Sequence, residues 1–330
     1  MFTLTTNSNE FVKEGEKTIY ASMSIAAVIV TYNRKEVLKK NIDALISQSI
    51  TINRIIIVDN HSQDGTQEEI FQCYYSERKR FDYNYLPKNI GGAGGFEYGT
   101  RRAYELGFDL IWLMDDDGHP MNSLTLEKLI EKIESKSLRC KPFLLNSIVL
   151  CQPSMLTFDI GYGRDLAENE RKAINGLLSE EKNARVAPFN GTLLSRELVA
   201  SIGFPNGQLF IYGDESDYAA RAVESGAFVA TVVDSLYYHP KNNSTVCKLG
   251  REFVVIQNVK WRYYYSCRNA IYYRLSRKKY MSSIKFVIDR TLQILLFDDQ
   301  KIRSLGYAWH GFFDGVRGRL GATVGPSADN

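Results

Sequence analysis

Four short apolar runs, each followed by polar side chains, constrain the fold of this 330-residue chain more than any other feature. The runs are Ile25–Thr31, Ile55–Val58, Asp82–Leu86 and Phe108–Met114, and stretches with helical spacing of apolar residues separate them. Strands that alternate with helices are typical of a parallel sheet. We therefore predict an α/β fold with a Rossmann-like, mostly parallel sheet and a helical C-terminal region.

The residues that follow these runs are predicted to meet at one edge of the sheet, because parallel strands point their C-terminal ends into the same crevice. The fourth run delivers three adjacent carboxylates, Asp115, Asp116 and Asp117. Like charges this close repel unless a cation lies among them. Carboxylate oxygens suit Mg²⁺ or Mn²⁺, usually with phosphate oxygens in the shell. The alternative is a solvated acidic turn.

A glycine cluster, Gly91–Gly95, follows Asn89. It matches neither the GxGxxG motif with its distant acid nor a P-loop with Lys-Ser/Thr, which argues against a dinucleotide-dependent dehydrogenase. Close packing of a helix on the sheet is the other explanation of the glycines. Arg34, after the first strand, is suited to neutralising phosphate, and Asp59, after the second, to accepting hydrogen bonds from a base or sugar.

Composition indicates a globular protein of the cytoplasm. The chain is 44% hydrophobic with a net charge of +3. Its five cysteines are an odd number without CxxC spacing, which argues against a disulfide framework or a zinc site and favours a reducing compartment. Residues 1–23 form a polar arm in which we expect no signal peptide, and the apolar runs are too short to span a bilayer.

The C-terminal third is basic and aromatic. Twelve Lys or Arg lie between residues 241 and 290 against two acids, and Trp261, Tyr263, Tyr264 and Tyr265 lie among them. No nucleic-acid motif accompanies this pattern, so we expect no nucleic-acid partner. It favours peripheral contact with an anionic membrane or a polyprenyl-diphosphate acceptor. The alternative is a helical bundle with an aromatic core and solvated cations.

Four segments together resemble a known family. Val28–Arg34, Val58–Ser62, Asn89–Phe96 and Asp115–Asp117 resemble inverting family 2 glycosyltransferases of the GT-A fold, and the glycine segment is similar to that of bacterial galactofuranosyltransferases and rhamnosyltransferases. The resemblance runs from about residue 24 to 240. We therefore divide the chain into an arm (1–23), a GT-A domain (24–257) and a helical basic and aromatic region (258–330).

The resemblance implies a UDP-sugar donor, or a dTDP-sugar for a rhamnosyltransferase, with Mn²⁺ or Mg²⁺ as cofactor. It implies metal ligation by Asp115, Asp117 and His239. The implied nucleotide-sugar site comprises Thr31, Asn33, Arg34, Asp59, Asn60, Asn89, Gly92, Asp115 and Asp116.

The segment Phe210–Asp217 resembles the acidic motif that carries the family's catalytic base. Many relatives have Asp where this chain has Glu215, which leaves Glu215 and Asp214 as candidates, with Glu215 favoured. Asp214 could equally cap a helix. The implied mechanism is a single displacement in which the base deprotonates the acceptor hydroxyl as it attacks the anomeric carbon. Acceptor contacts are expected from Tyr212, Arg268 and Asn269.

These observations predict a metal-dependent inverting glycosyltransferase. The expected reaction moves galactofuranose from UDP-galactofuranose to a hydroxyl of a glycan, free or lipid-linked, in the synthesis of a bacterial cell-envelope polysaccharide such as O-antigen. The expected location is the cytoplasm, with peripheral contact at the inner face of the plasma membrane. The alternatives are a rhamnosyltransferase that uses dTDP-rhamnose, a non-catalytic nucleotide-sugar-binding protein and a nucleotidyltransferase.

Overall fold

A computed structural model describes residues 23–152, 155–157, 189–241, 245–249 and 252–325. Apart from Met23, the predicted arm lies outside these residues. The strands are β1 Ile25–Thr31, β2 Arg54–Asp59, β3 Phe81–Tyr85, β4 Leu110–Asp115, β5 His119–Pro120, β6 Phe143–Gln152, β7 Met155–Leu156, β8 Thr192–Ser195, β9 Phe228–Tyr238, β10 Thr245–Leu249 and β11 Glu252–Ile256. The helices are α1 Lys35–Ile46, α2 Thr66–Cys73, α3 Gly91–Glu105, α4 Thr125–Ser135, α5 Arg196–Ile202, α6 Asp214–Glu224, α7 Arg262–Ser276, α8 Tyr280–Phe297 and α9 Lys301–Arg317.

The main sheet has the strand order β3-β2-β1-β4-β8-β6-β9-β5, with β7 paired to β6, and a separate hairpin joins β10 to β11. The pairs β1–β2, β2–β3, β1–β4 and β6–β9 are parallel, whereas β8 runs antiparallel between β4 and β6. This arrangement confirms the predicted α/β class with a mostly parallel sheet. Because β8 is antiparallel to both β4 and β6, and β9 is parallel to β6, β9 runs in the same direction as β4. Both strands therefore end at one edge of the sheet.

The core lies on both faces of the sheet because side chains alternate along each strand. In β1, Ile25 and Ile29 pack toward α1 and α4, whereas Val28 and Val30 pack toward α3. A Cβ atom on Gly95 or on Gly99 of α3 would clash with the side chain of Val30 or Val28. Part of the glycine cluster is therefore needed for close packing of α3 on the sheet.

The C-terminal helices bury most of the aromatic residues that suggested a membrane surface. Tyr263, Tyr264 and Tyr265 of α7 have no exposed surface. The Tyr263 and Tyr264 hydroxyls donate hydrogen bonds of 2.9 and 2.7 Å to Asp298 and Asp314. For these tyrosines, the aromatic core is the correct interpretation. No helix of the described residues is long and apolar enough to span a membrane.

Candidate active site

Three carboxylates, Asp115, Asp116 and Asp117, form what we call the carboxylate edge at the end of β4. Two asparagines hold Asp115 in place. Asn190 donates a 3.1 Å hydrogen bond to its carboxylate, and Asn41 donates a 2.9 Å hydrogen bond to its main-chain oxygen. Burial, together with the charge of Asp117, raises the pKa of Asp115 to about 7. The fold therefore holds this carboxylate where its negative charge is costly without a cation.

Asp116 connects the carboxylate edge to the end of β1. Thr31 Oγ1 donates a 2.8 Å hydrogen bond to it, and Arg34 lies 3.2 Å away. Burial raises the pKa of Asp116 to about 6 against the opposing effect of Arg34. Asp116 thus positions Thr31 and Arg34, of which Arg34 is half exposed and able to meet an anion.

Asp117 meets His239, which immediately follows β9. The distance from His239 Nε2 to Asp117 Oδ1 is 3.1 Å, and Arg34 lies 2.7 Å from the other carboxylate oxygen. Burial acts to raise the pKa of Asp117, but the hydrogen bond and charge of His239, with Arg34, hold that pKa below its usual range. The structure therefore brings together residues 122 positions apart in the chain.

Asp115, Asp117 and His239 can each offer one ligand atom, and these atoms lie within 4.8 Å of one another. His239 Nδ1 lies 2.7 Å from the Pro240 carbonyl oxygen. A hydrogen bond donated there leaves the lone pair of Nε2 facing the carboxylates. Two lone-pair groups in contact need a proton or a cation between them, and two carboxylates with an imidazole are a suitable donor set for a divalent metal. The residues fit the implied metal.

The predicted nucleotide residues lie at the ends of β1 and β2. Asp59 is fully buried and accepts hydrogen bonds from the Ser62 amide, at 2.7 Å, and from the Tyr83 hydroxyl. Asn60 uses its amide within the protein, because Nδ2 donates to the Gly91 carbonyl at 3.1 Å. Its direct effect is to hold the start of α3.

The start of α3 combines one crowded glycine with one open glycine. The amide of Gly91 donates a 2.8 Å hydrogen bond to Asn89 Oδ1. Gly91 has φ +76°, and a Cβ atom there would clash with the Phe210 carbonyl, whereas nothing lies within 4 Å of a Cβ atom on Gly92. The glycines therefore allow the loop before α6 to approach closely and leave free space beside Gly92. The predicted Asn33 also has a positive φ of 53° and accepts a 2.6 Å hydrogen bond from the Gln63 amide.

Asp214 and Glu215, which we call the acid pair, begin α6. Asp214 is buried and Glu215 is partly exposed. Burial, with the charge and hydrogen bond of Glu215, holds the pKa of Asp214 well above its usual value, and the charge of Asp115 adds to the shift. Of the two acids, Glu215 is therefore the one that a ligand can reach.

The three expected acceptor residues have different surroundings. Arg268 is fully buried and donates hydrogen bonds to the carbonyls of Gly321 and Leu209 at 2.6 and 2.8 Å. Asn269 donates to the carbonyls of Leu209, Ile211 and Tyr212. Both side chains therefore hold the loop that leads to the acid pair, and their polar groups face protein.

Tyr212 is exposed and lines a pocket of about 480 Å³ beside the acid pair. The far wall of the pocket comes from α7 and from the start of α8, through Tyr273, Arg274 and Lys279. The pocket therefore lies next to the acid pair, between the loop before α6 and the C-terminal helices.

Sequence reasoning missed the residues behind Asp115. Asn41, Asn190 and Tyr237 are fully buried around this carboxylate. The only signal was a polar residue inside an apolar run, as in Phe189-Asn190-Gly191. That signal did not reveal the partner, because β8 pairs with β4 across a large separation in sequence.

The profile of the family described as "Glycosyl transferase family 2" matches residues 26–139. The chain is 32% identical over 225 residues to galactofuranosyltransferase GlfT1 of Mycolicibacterium smegmatis, covering 66% of this chain and 70% of that protein. It is 22% identical over 310 residues to dTDP-rhamnosyl transferase RfbF of Shigella flexneri, covering 90% and 97% of the two chains.

Among solved structures, the mannosyltransferase PcManGT from Pyrobaculum calidifontis, in complex with GDP-Man and Mn²⁺, is similar with a TM-score of 0.50. The two chains are 13% identical, and the match covers 97% of this chain and 85% of that one. At this identity the likeness shows the fold, which is the GT-A glycosyltransferase fold. The sequence relatives establish that this chain is a glycosyltransferase that belongs to family 2.

Proposed function

We propose that this enzyme transfers a sugar from a nucleotide diphosphate donor to an acceptor hydroxyl with inversion at the anomeric carbon. One observation carries the proposal: Asp115, Asp117 and His239, the last of which is distant in the chain, bring one possible metal-ligand atom each to within 4.8 Å of one another at the end of β4. The charge of Asp115 also reaches Asp214 of the acid pair. A base and a diphosphate site across one crevice are what a single displacement requires.

On the donor side, we assign the nucleotide to the ends of β1 and β2. We assign the fully buried Asp59 to holding Ser62 and Tyr83 beside the base of the nucleotide. We assign Arg34, which is half exposed, to pairing with a phosphate. Thr31, Asn33 and Asn89 complete the site with Asn60, which shapes it through Gly91. The free space at Gly92 gives room for the diphosphate or sugar.

We assign a divalent cation, Mn²⁺ or Mg²⁺, to Asp115, Asp117 and His239. When bound, such an ion offsets negative charge on a departing diphosphate. Asn190 keeps the Asp115 carboxylate in place, and the Pro240 carbonyl sets the orientation of the His239 ring. The Mn²⁺ in the mannosyltransferase complex supports the assignment.

Glu215 is our candidate for the base. It accepts the proton of the acceptor hydroxyl as that oxygen attacks. The buried Asp214 carboxyl is hydrogen-bonded to Glu215, so we assign it to positioning this base. Arg268 and Asn269 hold the preceding loop, so we assign them to positioning this base and not to direct contact with acceptor.

The donor that we favour is UDP-galactofuranose, because the galactofuranosyltransferase relatives exceed 30% identity. The alternative is dTDP-rhamnose, which the 22% identity to RfbF over most of both chains supports. Pocket residues decide the sugar in such enzymes, so a donor panel has to discriminate between them.

We propose a glycan or a polyprenyl-diphosphate-linked glycan as acceptor, bound in the pocket lined by Tyr212. Residues 24–257 would then form the transferase domain, and residues 258–330 would complete its acceptor side. The product would enter a bacterial cell-envelope polysaccharide such as O-antigen, made at the cytoplasmic face of an anionic membrane.

Incubation of the purified protein with UDP- and dTDP-sugars tests the proposal, with Mn²⁺, Mg²⁺ or chelator and a synthetic glycan acceptor. We expect transfer from UDP-galactofuranose, dependence on a divalent cation, and inverted anomeric configuration by NMR. Selective use of dTDP-rhamnose would establish the alternative donor. Retention of configuration, or full transfer in excess chelator, would overturn the mechanism.

A further inference from the structure

The helices α8 and α9 expose an apolar surface that the catalytic proposal does not use. Of the 22 large apolar side chains that are exposed among the described residues, 11 lie on these two helices. We call them the apolar ridge, and they are Tyr280, Met281, Ile284, Ile288, Leu292, Leu295, Leu296, Ile302, Trp309, Phe313 and Val316.

The spacing of the ridge residues makes them continuous faces. In α8, Met281, Ile284, Ile288, Leu292 and Leu295 recur every three or four residues and are 43–77% exposed. This spacing places them on one side of the helix. The opposite side packs on the protein through Ser283 and Ile294. The helix therefore presents an apolar stripe to its surroundings.

The second face lies on α9, where Ile302, Trp309, Phe313 and Val316 are 42–89% exposed. The helices are neighbours, since the rings of Phe286 and Phe312 meet edge to face with centroids 6.1 Å apart. A monomeric soluble protein rarely leaves so large an apolar surface in contact with water. The ridge therefore points to a partner.

The charge around the ridge indicates which partner. Between residues 278 and 319 the exposed cations are Lys278, Lys279, Lys285, Lys301, Arg303, Arg317 and Arg319. The acids Asp289 and Asp299 each lie 2.6 Å from a lysine, Lys285 and Lys260. An apolar face flanked by an excess of cations is complementary to the surface of an anionic bilayer.

We propose that the apolar ridge is a membrane-docking surface on which α8 and α9 lie in the headgroup region of an anionic bilayer. Lys279 also lines the pocket next to Gly213, so the start of α8 is shared by the ridge and the acceptor pocket. Docking would thus bring the bilayer surface to the pocket where the proposed lipid-linked acceptor binds. This inference deepens the proposed membrane contact and, for the acceptor, rests on the proposed function.

Flotation of the full-length protein with vesicles tests the surface, using phosphatidylcholine with or without 30% phosphatidylglycerol. The variant is Leu292→Ser/Leu296→Ser, and its control is Leu106→Ser/Leu124→Ser, where leucines of similar exposure lie elsewhere. The four side chains are 49, 58, 43 and 45% exposed, so neither variant is expected to unfold. Equal melting temperatures verify this point.

We expect the wild type and the control to float with the anionic vesicles, and the α8 variant to bind at least tenfold more weakly. Added salt or omission of phosphatidylglycerol should weaken wild-type binding. Equal binding of variant and control, or no vesicle binding by the wild type, would overturn the proposal. A wild-type dimer that Leu292→Ser/Leu296→Ser converts to a monomer, without vesicle binding, would replace the bilayer by a second copy.

An assay of sugar transfer to a water-soluble acceptor distinguishes a failure of the docking surface from a failure of the proposed reaction. The α8 variant should retain the wild-type rate with that acceptor and lose rate only with a lipid-linked acceptor in anionic vesicles. Absence of transfer by the wild type in every condition, with vesicle binding intact, would refute the proposed reaction and leave the docking surface standing.

Discussion

The carboxylate edge and the apolar ridge both depart from the usual distribution of side chains in a folded protein. The edge withdraws charged groups from water, whereas the ridge exposes apolar groups to it. At the edge, Asp116 is buried and its two neighbours are partly buried, and loss of contact with water raises the pKa of Asp115 and of Asp116. On the ridge, leucine and isoleucine side chains face water. Buried charge and exposed apolar surface both oppose folding stability. Their coexistence indicates two contacts that the folded chain alone does not provide, an ionic one at the edge and an interfacial one at the ridge.

The largest effect is expected from removing a ligand of the edge. Asp117→Ala should abolish divalent-dependent donor binding, because Asp117 contacts both His239 and Arg34. Calorimetric titration of UDP with and without Mn²⁺ measures this effect, and Asp289→Asn on α8 is the matched control. Normal Mn²⁺-dependent binding by Asp117→Ala would refute the ligand set.

Removing the proposed base should reduce the rate of transfer and leave donor binding intact. Glu215→Ala should lower turnover about a hundredfold or more with nearly unchanged donor affinity. Glu224→Gln, at the exposed end of the same helix, should behave like the wild type. Steady-state kinetics and UDP titration separate the two quantities. If Asp214→Ala alone lowered turnover to this extent, the base would be reassigned to Asp214.

Two neighbouring glycines at the start of α3 test how closely the loop before α6 packs on that helix. Gly91→Ala should lower the free energy of unfolding by about 2 kcal/mol, because alanine there combines a positive φ with a clash against Phe210. Gly92→Ala should change it by less than about 0.5 kcal/mol, since its Cβ enters open space. Urea unfolding of both variants measures the difference, and equal losses would contradict the described packing.

The pH dependence of the edge follows from the pKa of Asp115, raised from its usual 3.8 to about 7. The folded chain holds this proton more tightly than the unfolded chain, so the edge's contribution to metal-free stability falls as pH rises between these values. A divalent ion competes with the same proton. Its apparent affinity should weaken about tenfold per pH unit below about 7, measured by calorimetry. A constant affinity from pH 5.5 to 7 would contradict this prediction.

The smallest effect is expected on the ridge in solution. Leu292→Ala should change the free energy of unfolding by no more than about 0.5 kcal/mol, because the side chain is exposed. Ile294→Ala, two residues away and fully buried, is the positive control and should be clearly destabilising. A large loss for Leu292→Ala would show that the ridge packs against the protein and would remove the contrast with the edge.

The sequence was sufficient for the first four strands and their ends, because each apolar run has strand length and stops at polar residues. Helical periodicity after residue 259 is interrupted near Lys279 and Asp298, which are the positions where α8 begins and ends, and Ser195, a residue type typical of N-caps, accepts a 3.1 Å hydrogen bond from the Leu198 amide. The antiparallel direction of β8 and the β10–β11 hairpin were not predicted, since pairing direction depends on distant neighbours. The polar stretch from Thr157 to Ala184, whose charges and lack of periodicity predict a loop, lies after Thr157 outside the described residues.

For the site, the family resemblance predicted more of the residues that lie close together than the residue pattern alone did. The positions of strand ends grouped Thr31, Asp59 and Asp115, whereas His239, which the fold brings to Asp117, was singled out by its strand-end position together with the family resemblance. Burial could not be read from composition, so Arg268 looked available to an acceptor although protein carbonyls surround it. Likewise, the tyrosines of α7 suggested a membrane surface but are buried, whereas α8 carries the exposed apolar face.

Arg268 and Asn269 donate hydrogen bonds to main-chain carbonyls of the loop Leu209–Tyr212, and this has a consequence for engineering the enzyme. These side chains belong to α7, yet they set the shape of the backbone just ahead of the acids. A truncated protein that ends before α7 would lose these hydrogen bonds, and with them the support that holds the proposed base, Glu215, in position. Grafting the helices of a homologue to alter acceptor choice would therefore also retune the reaction rate, so the two traits have to be optimised together.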